Sequence, residues 1–187
     1  LAVEHLPEND TLRHTKQGET TLITLFKKLG YQLPKGSKGE QRIKNIRLKT
    51  AIIDGKLDRI DFGDHLTIVD YKTGRLLPSF ETKDKNLSIT AWRQKTQIIF
   101  YALLARYDPR LSRYDGVEGQ MVYVQADNLA GLVRSYRPSQ DEIDRLERLV
   151  EAVWQKVTNA QWPDTAEYSQ DLSGILAFEE DLIKGKV

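Results

Sequence analysis

The chain has 187 residues, 40% of them hydrophobic, no cysteine and a formal net charge of +1. That length and apolar content suffice for one sizeable core, so a single α/β domain spanning 1–187 is expected. The missing cysteines exclude disulfides and thiolate-bound metals, the near-zero charge argues against a uniformly basic nucleic-acid coat, and no apolar run approaches the roughly eighteen residues of a membrane span.

The first thirty or so residues carry one helical signal: Leu22, Leu25, Phe26 and Leu29 recur at helical spacing and stop at Gly30. His5 and His14 precede it, outside any clean helical stripe. The opening residues include Glu4, His5, Asn9 and Asp10, without the basic start and apolar stretch of a signal peptide, which points to a cytoplasmic protein. A Pro- and Gly-containing loop, Tyr31 to Gly39, follows. From Lys35 to Lys49 the cations Lys35, Lys38, Arg42, Lys44, Arg47 and Lys49 accompany the single acid Glu40. Such a stripe can neutralise phosphates and lead DNA into a cleft, or equally guard an edge strand with lysines.

Two β-branched runs, Ile52 to Asp61 and Leu66 to Lys72, flank Phe62-Gly63-Asp64 and predict an antiparallel hairpin. With Asp61 paired to His65 across a three-residue loop, alternation places Asp58, Ile60, Leu66, Ile68, Asp70 and Lys72 on one face. Two carboxylates and an amine then end an otherwise apolar face. Charges there are costly to desolvate unless a metal, a substrate or one another meets them. Mg²⁺ and Mn²⁺ prefer oxygen ligands, so Asp58 and Asp70 can hold one while leaving positions for water and a phosphate oxygen. Lys72 lies two residues after Asp70 and points the same way, able to orient or deprotonate an attacking water. Arg59 and Asp61 alternate to the opposite face, as a structural ion pair.

Downstream, Trp92 to Leu104 is a helical run in which Gln97 and Tyr101, four apart, share a face. They are either site residues or ordinary helix residues. Trp92, Arg93 and Lys95 precede them; an aromatic beside cations can clamp a nucleic-acid strand, although a Trp at helical spacing is more often core. Gly119 to Gln125 and Leu132 to Tyr136 predict two strands around Asp127-Asn128. Ser139 and Glu142 form a capping box opening a helix whose Ile143, Leu146, Leu149, Val150, Val153, Trp154 and Val157 make a core stripe. A short helix through Ile175, Leu176 and Phe178 closes the chain.

Asp58 followed by Asp70-Tyr71-Lys72 resembles the PD-(D/E)xK nuclease signature. The strings Gly55-Lys56-Leu57-Asp58-Arg59-Ile60-Asp61 and Val69-Asp70-Tyr71-Lys72-Thr73-Gly74, with Gln97 and Tyr101 as a Gln-x-x-x-Tyr pair, are similar to its RecB-like branch. The resemblance covers roughly residues 15 to 165 and implies an α/β fold with a restriction-endonuclease-like core, a mixed central sheet flanked by helices in αβββαβ order. It implies a Mg²⁺- or Mn²⁺-dependent DNA nuclease, an exonuclease of DNA repair or recombination. Asp58, Asp70, Lys72, Gln97 and Tyr101 would be catalytic, and Asp58, Asp70 and the Tyr71 carbonyl would be metal ligands. Glu40 stands near the family's upstream acid, and His14 or His5 is the candidate for its early metal-binding His. Lys38, Arg42, Lys44, Trp92 and Arg93 are the candidate DNA contacts.

Many RecB-like relatives close the fold with a cysteine-held iron–sulfur cluster, which a chain without cysteine cannot do; Trp162, in Gln161-Trp162-Pro163-Asp164-Thr165, is expected to pack in its place. The chain begins at Leu1, as a fragment of a longer helicase–nuclease would. It has no Gly-x-x-x-x-Gly-Lys-Ser/Thr phosphate loop, so a helicase partner would lie elsewhere in the polypeptide or its complex. Two other functions compete: a nuclease-fold DNA-binding or scaffolding module that no longer cleaves, and a hydrolase of small phosphate esters, which the lack of a Gly-rich phosphate cradle disfavours. Lys72-Thr73-Gly74 also matches penicillin-recognising serine enzymes, but the Ser-x-x-Lys and Ser-Asp-Asn partners are missing.

Overall fold

The computed structural model describes Ile23, Phe26, Lys27 and residues 33–74, 76–124 and 132–187. Within them the elements are β1 (Lys38–Arg47), β2 (Ile52–Phe62), β3 (Leu66–Lys72), α1 (Lys85–Tyr107), β4 (Val117–Tyr123), β5 (Val133–Tyr136), α2 (Gln140–Thr158) and α3 (Leu172–Ile183). The strands form one sheet in the order β1-β2-β3-β4-β5. Pairing is parallel only between β3 and β4, as a helical crossover through α1 requires. This is the expected mixed sheet flanked by helices. The helix expected to end at Gly30 lies outside the described residues except for Ile23, Phe26 and Lys27, which are helical; His5, His14 and Asp127-Asn128 lie outside them altogether. No helix among the described residues is long and apolar enough to cross a membrane.

The β2–β3 hairpin forms, in a register two residues away from the expected one. Phe62 pairs with Leu66, Asp61 with Thr67, Ile60 with Ile68 and Arg59 with Val69, so the loop is Gly63-Asp64-His65 rather than Phe62-Gly63-Asp64. Phe62 extends the strand because its ring packs on Tyr114, at 5.6 Å between centroids, and its partner Leu66 is fully buried. A shift of two residues preserves which side chains share a face, so the expected segregation of Ile60 and Ile68 from Arg59 and Asp61 survives it.

Helix α1 starts at Asp84, whose side chain accepts from the Asn86 N–H at 2.9 Å, and it runs well beyond the expected segment at both ends. It lies close to the sheet at two glycines. A Cβ on Gly119 would stand 2.2 Å from Ile98 Cγ2, and one on Gly55 2.2 Å from Leu104 Cδ1. Ile98 belongs to a core with Val69 and Met121, and Leu103 and Leu104 to a second with Leu57, Ile60 and Ile68, so one helix serves both.

Helix α2 opens with the expected capping box: Ser139 Oγ accepts from the Glu142 N–H at 3.3 Å, and Glu142 accepts from the Ser139 N–H at 2.9 Å. Its apolar stripe is shorter than predicted. Leu146 and Leu149 are buried, but Val153 and Val157 are 42% and 50% exposed. Trp154 still packs against the core, but the polar anchors lie before Val153: Glu151 accepts the Thr50 and Ala51 N–H groups of the β1–β2 turn at 3.1 Å, and Arg145 pairs with Glu179 of α3 at 2.9 Å.

Trp162 is also corrected. It is 76% exposed and cannot staple the fold. Closure comes instead from α3, where Phe178 packs edge-on against Tyr168 at 5.1 Å, Tyr168 donates to Asp181 at 3.0 Å and Leu182 is buried in the core. A bulky aromatic in a Pro-containing loop carries no periodic signal of its facing, whereas α3 does.

The close approach of α1 is testable. Gly119→Ala forces its methyl against Ile98 and is expected to destabilise the protein by about 1–3 kcal/mol in urea unfolding, with Ile98→Val in the same chain recovering part of the loss.

Candidate active site

The site forms where the β2–β3 ladder ends. Continuing its register by one pair beyond Arg59–Val69 would set Asp58 directly opposite Asp70, and the recorded pairing stops before that point. Like charges facing each other across a sheet are destabilising. In place of a ladder bond, the Tyr71 backbone N–H donates to Asp58 Oδ2 at 3.0 Å. Simple alternation does not run through Asp58 as expected: Leu57 and Ile60, three apart, both lie in the core cluster. On its other flank β3 stays paired to its end, with Asp70 beside Met121 and Lys72 beside Tyr123, and the Val124 N–H donates to the Lys72 carbonyl at 3.0 Å.

Asp70 is 6% exposed. Its Oδ1 accepts from Gln97 Nε2 and from the Tyr101 hydroxyl, each at 2.8 Å. Oδ2 has Lys72 Nζ at 2.7 Å as an ion pair but makes no aligned hydrogen bond. Lys72 Nζ in turn donates to Gln97 Oε1 at 2.7 Å, and Gln97 Nε2 also reaches the Tyr101 oxygen. The predicted Asp70, Lys72, Gln97 and Tyr101 are therefore one closed network, assembled from β3 and from two residues a turn apart on α1. Burial, then the Asp70 charge and the hydrogen bond to it, push the Tyr101 phenol above its ordinary range, so it remains a donor at neutral pH.

The other predicted residues are more dispersed. Glu40 has φ +45 and lies in β1 between Gly39, which pairs with Arg59, and Gln41, which pairs with Leu57; its exposed carboxylate meets Lys56 Nζ at 3.1 Å. Lys38, Arg42 and Lys44 are exposed along the edge strand β1. Trp92 is half-buried and Arg93 exposed on the first half of α1. Lys95 is tied down by Glu81 at 2.8 Å and Glu142 at 3.3 Å and lies over the Tyr136 ring. Arg59 and Asp61 form the expected ion pair, at 3.0 Å, and the Tyr71 hydroxyl joins them through Arg59. Missed in the sequence was Tyr123, beside Lys72 at the end of β4, whose hydroxyl donates to Gln94 Oε1. The only clue to it would have been the parallel β3–β4 register.

Among the described residues no three His, Cys, Asp or Glu side chains converge as a metal cage. Asp58 lies one residue past the end of the ladder, on the Tyr71 N–H, and the buried Asp70 Oδ2, which has the Lys72 ammonium beside it, makes no aligned hydrogen bond. Asp58 keeps Oδ1 free of the bond that occupies its Oδ2. That donor set suits a hard divalent ion that completes its shell with water and phosphate oxygens.

The mixed sheet, the crossover helix and the acidic ladder end define a nuclease-type α/β fold. Residues 4–169 match the model of the PD-(D/E)XK nuclease superfamily, and the chain belongs to that superfamily. The fold is accordingly restriction-endonuclease-like. Among solved structures, a Eubacterium rectale protein described as a "putative exonuclease" aligns with a TM-score of 0.51 at 15% identity, over 79% of this chain and 55% of that one. The present chain thus spans about half the length of that relative. The structure of SSO0001 aligns with a TM-score of 0.39 at 14% identity, over 86% of this chain and 66% of that one. Comparison with curated proteins gives no match.

The shifted Tyr101 phenol predicts a pH dependence. In the unfolded chain it ionises near pH 10, while in the folded protein it stays neutral, so the unfolded state binds fewer protons and stability falls as pH rises above about 10. Urea unfolding from pH 9 to 11.5 should show a fall in stability with pH that is shallower in Tyr101→Phe, by at most about 1.4 kcal/mol per pH unit.

Proposed function

We propose that the chain is a Mg²⁺- or Mn²⁺-dependent deoxyribonuclease domain of RecB-like type, working as an exonuclease in DNA repair or recombination alongside a helicase. The observation that carries the reading is the pairing of Lys72 Nζ with the buried Asp70 at 2.7 Å beside a second carboxylate, Asp58. This is the residue set that metal-assisted phosphodiester hydrolysis needs. Asp58, Asp70 and the Tyr71 carbonyl would hold the divalent ion, which when bound supplies Lewis-acid polarisation of the phosphate and a more acidic water.

The chain's own groups do the rest. Tyr101 and Gln97 hold Asp70 Oδ1, which fixes the carboxylate plane and leaves Oδ2 facing Lys72 and the cation position. Gln97 Oε1 anchors Lys72 Nζ, so the ammonium stands beside Asp70 able to orient the attacking water as a hydrogen-bond donor, and it can act as a base only after giving up its own proton. Lys38, Arg42 and Lys44 on β1 offer a phosphate track, with Trp92 and Arg93 as further contacts. The exonuclease description of the structural relative supports this choice within the superfamily. A silent DNA-binding or scaffolding module is the second reading, favoured by one observation: no third acidic or His ligand joins Asp58 and Asp70 among the described residues.

End-labelled single- and double-stranded DNA incubated with Mn²⁺, Mg²⁺ or EDTA separates the two. Metal-dependent shortening from one end is expected. Lys72→Ala should lower its rate by at least about a hundredfold without abolishing DNA binding. DNA that is bound but left intact with either metal would overturn the nuclease reading in favour of the module.

A further inference from the structure

Resting on that nuclease reading, we propose that Arg59, on the sheet face opposite the carboxylates, is a positioning residue that acts through Tyr71 to set the spacing of Asp58 and Asp70 and hence the site's affinity for a divalent cation. At the level of these two acids, β3 is held on one side by its ladder with β4, down to Lys72 beside Tyr123. β2 is likewise held by β1, through Gly39–Arg59 and Gln41–Leu57. The β2–β3 ladder itself ends at Arg59–Val69. Beyond it, Tyr71 makes the connections: its backbone N–H donates to Asp58, its ring lies 5.5 Å from the Arg59 guanidinium carbon, and its hydroxyl is hydrogen-bonded by Arg59 Nη1.

Arg59 is itself immobilised. It is 8% exposed, it pairs with Asp61 at 3.0 Å, and Asp61 accepts from Ser37 Oγ at 2.6 Å. A buried ion pair is a poor source of stability, since well-packed apolar groups of similar volume often do as well or better. It is a good source of geometry, because a planar guanidinium fork fixes the direction of its partners. Tyr71 sits between Asp70 and Lys72 in sequence, so a rotation of its backbone moves both of them and the N–H that holds Asp58. The far-face pair therefore governs where two metal oxygens stand without touching the metal.

Mn²⁺ titration by calorimetry, without DNA, reads this directly, with urea unfolding and the Mn²⁺ dependence of DNA cleavage measured alongside. Tyr71→Phe removes only the hydroxyl. The double substitution Arg59→Leu with Asp61→Leu removes the ion pair without stranding a buried charge. Each is expected to weaken Mn²⁺ binding roughly tenfold or more, and to raise the Mn²⁺ concentration needed for half-maximal cleavage by a similar factor. If the double variant does not fold, Tyr71→Phe alone decides. Wild-type affinity in Tyr71→Phe, or a loss of stability with unchanged affinity, overturns the positioning role and leaves the nuclease reading intact. Mn²⁺ binding that is abolished by Asp70→Asn and weakened by Tyr71→Phe in a protein that never cuts DNA overturns the nuclease reading alone. A wild-type protein that binds no Mn²⁺ overturns both.

Discussion

A β2–β3 ladder that stops one step short of setting two carboxylates opposite each other is the constraint around which this molecule is arranged. Asp58 and Asp70 would be cross-strand partners if the β2–β3 pairing ran one step further, and two anions in that position repel. The chain answers from several directions: the Tyr71 N–H donates to Asp58, Gln97 and Tyr101 donate to Asp70, and the Lys72 ammonium pairs with it. Each donor fixes a piece of backbone. Asp70 thus ties β3 to α1 through Gln97 and Tyr101.

Helix α1 meets this requirement because it is also the crossover that makes β3 and β4 parallel. It must pass over the sheet close enough for Gln97 and Tyr101 to reach Asp70. Gly119 and Gly55 allow that approach by leaving space for Ile98 and Leu104. It is also fastened to α2, with Lys95 at its middle joined to the capping glutamate Glu142 and Arg106 in its last turn to Glu147 at 3.1 Å. Packing, capping and site geometry therefore converge on one helix.

Much of this was legible in the sequence, and the parts that were not have identifiable causes. Alternation in the hairpin and the four-residue spacing of Gln97 and Tyr101 are local properties, and local properties placed these residues on the right elements. The hairpin register escaped by two residues because the ring of Phe62 packs on Tyr114, more than fifty residues away. The truncated stripe at Val153 and Val157 and the exposed Trp162 failed for a similar reason: hydrophobicity states a preference for burial, but only the neighbouring elements supply the cover. Glu40 could be placed near the hairpin by order, yet its pairing with Lys56 depends on a left-handed backbone at that residue, which no pattern announces.

The parallel pairing of β3 with β4 has a consequence for the order in which the molecule assembles. Strands β1, β2 and β3 form a meander of contacts close in sequence, whereas β4 can join only after the whole crossover has closed. Until then Asp70 lacks the hydrogen bonds of Gln97 and Tyr101, which come from the crossover helix. Docking of α1 brings both donors onto Asp70 in the same event. Any excursion that lifts α1 from the sheet removes both together, so the hydrogen-bonded cluster around Asp70 exists only while the crossover is closed.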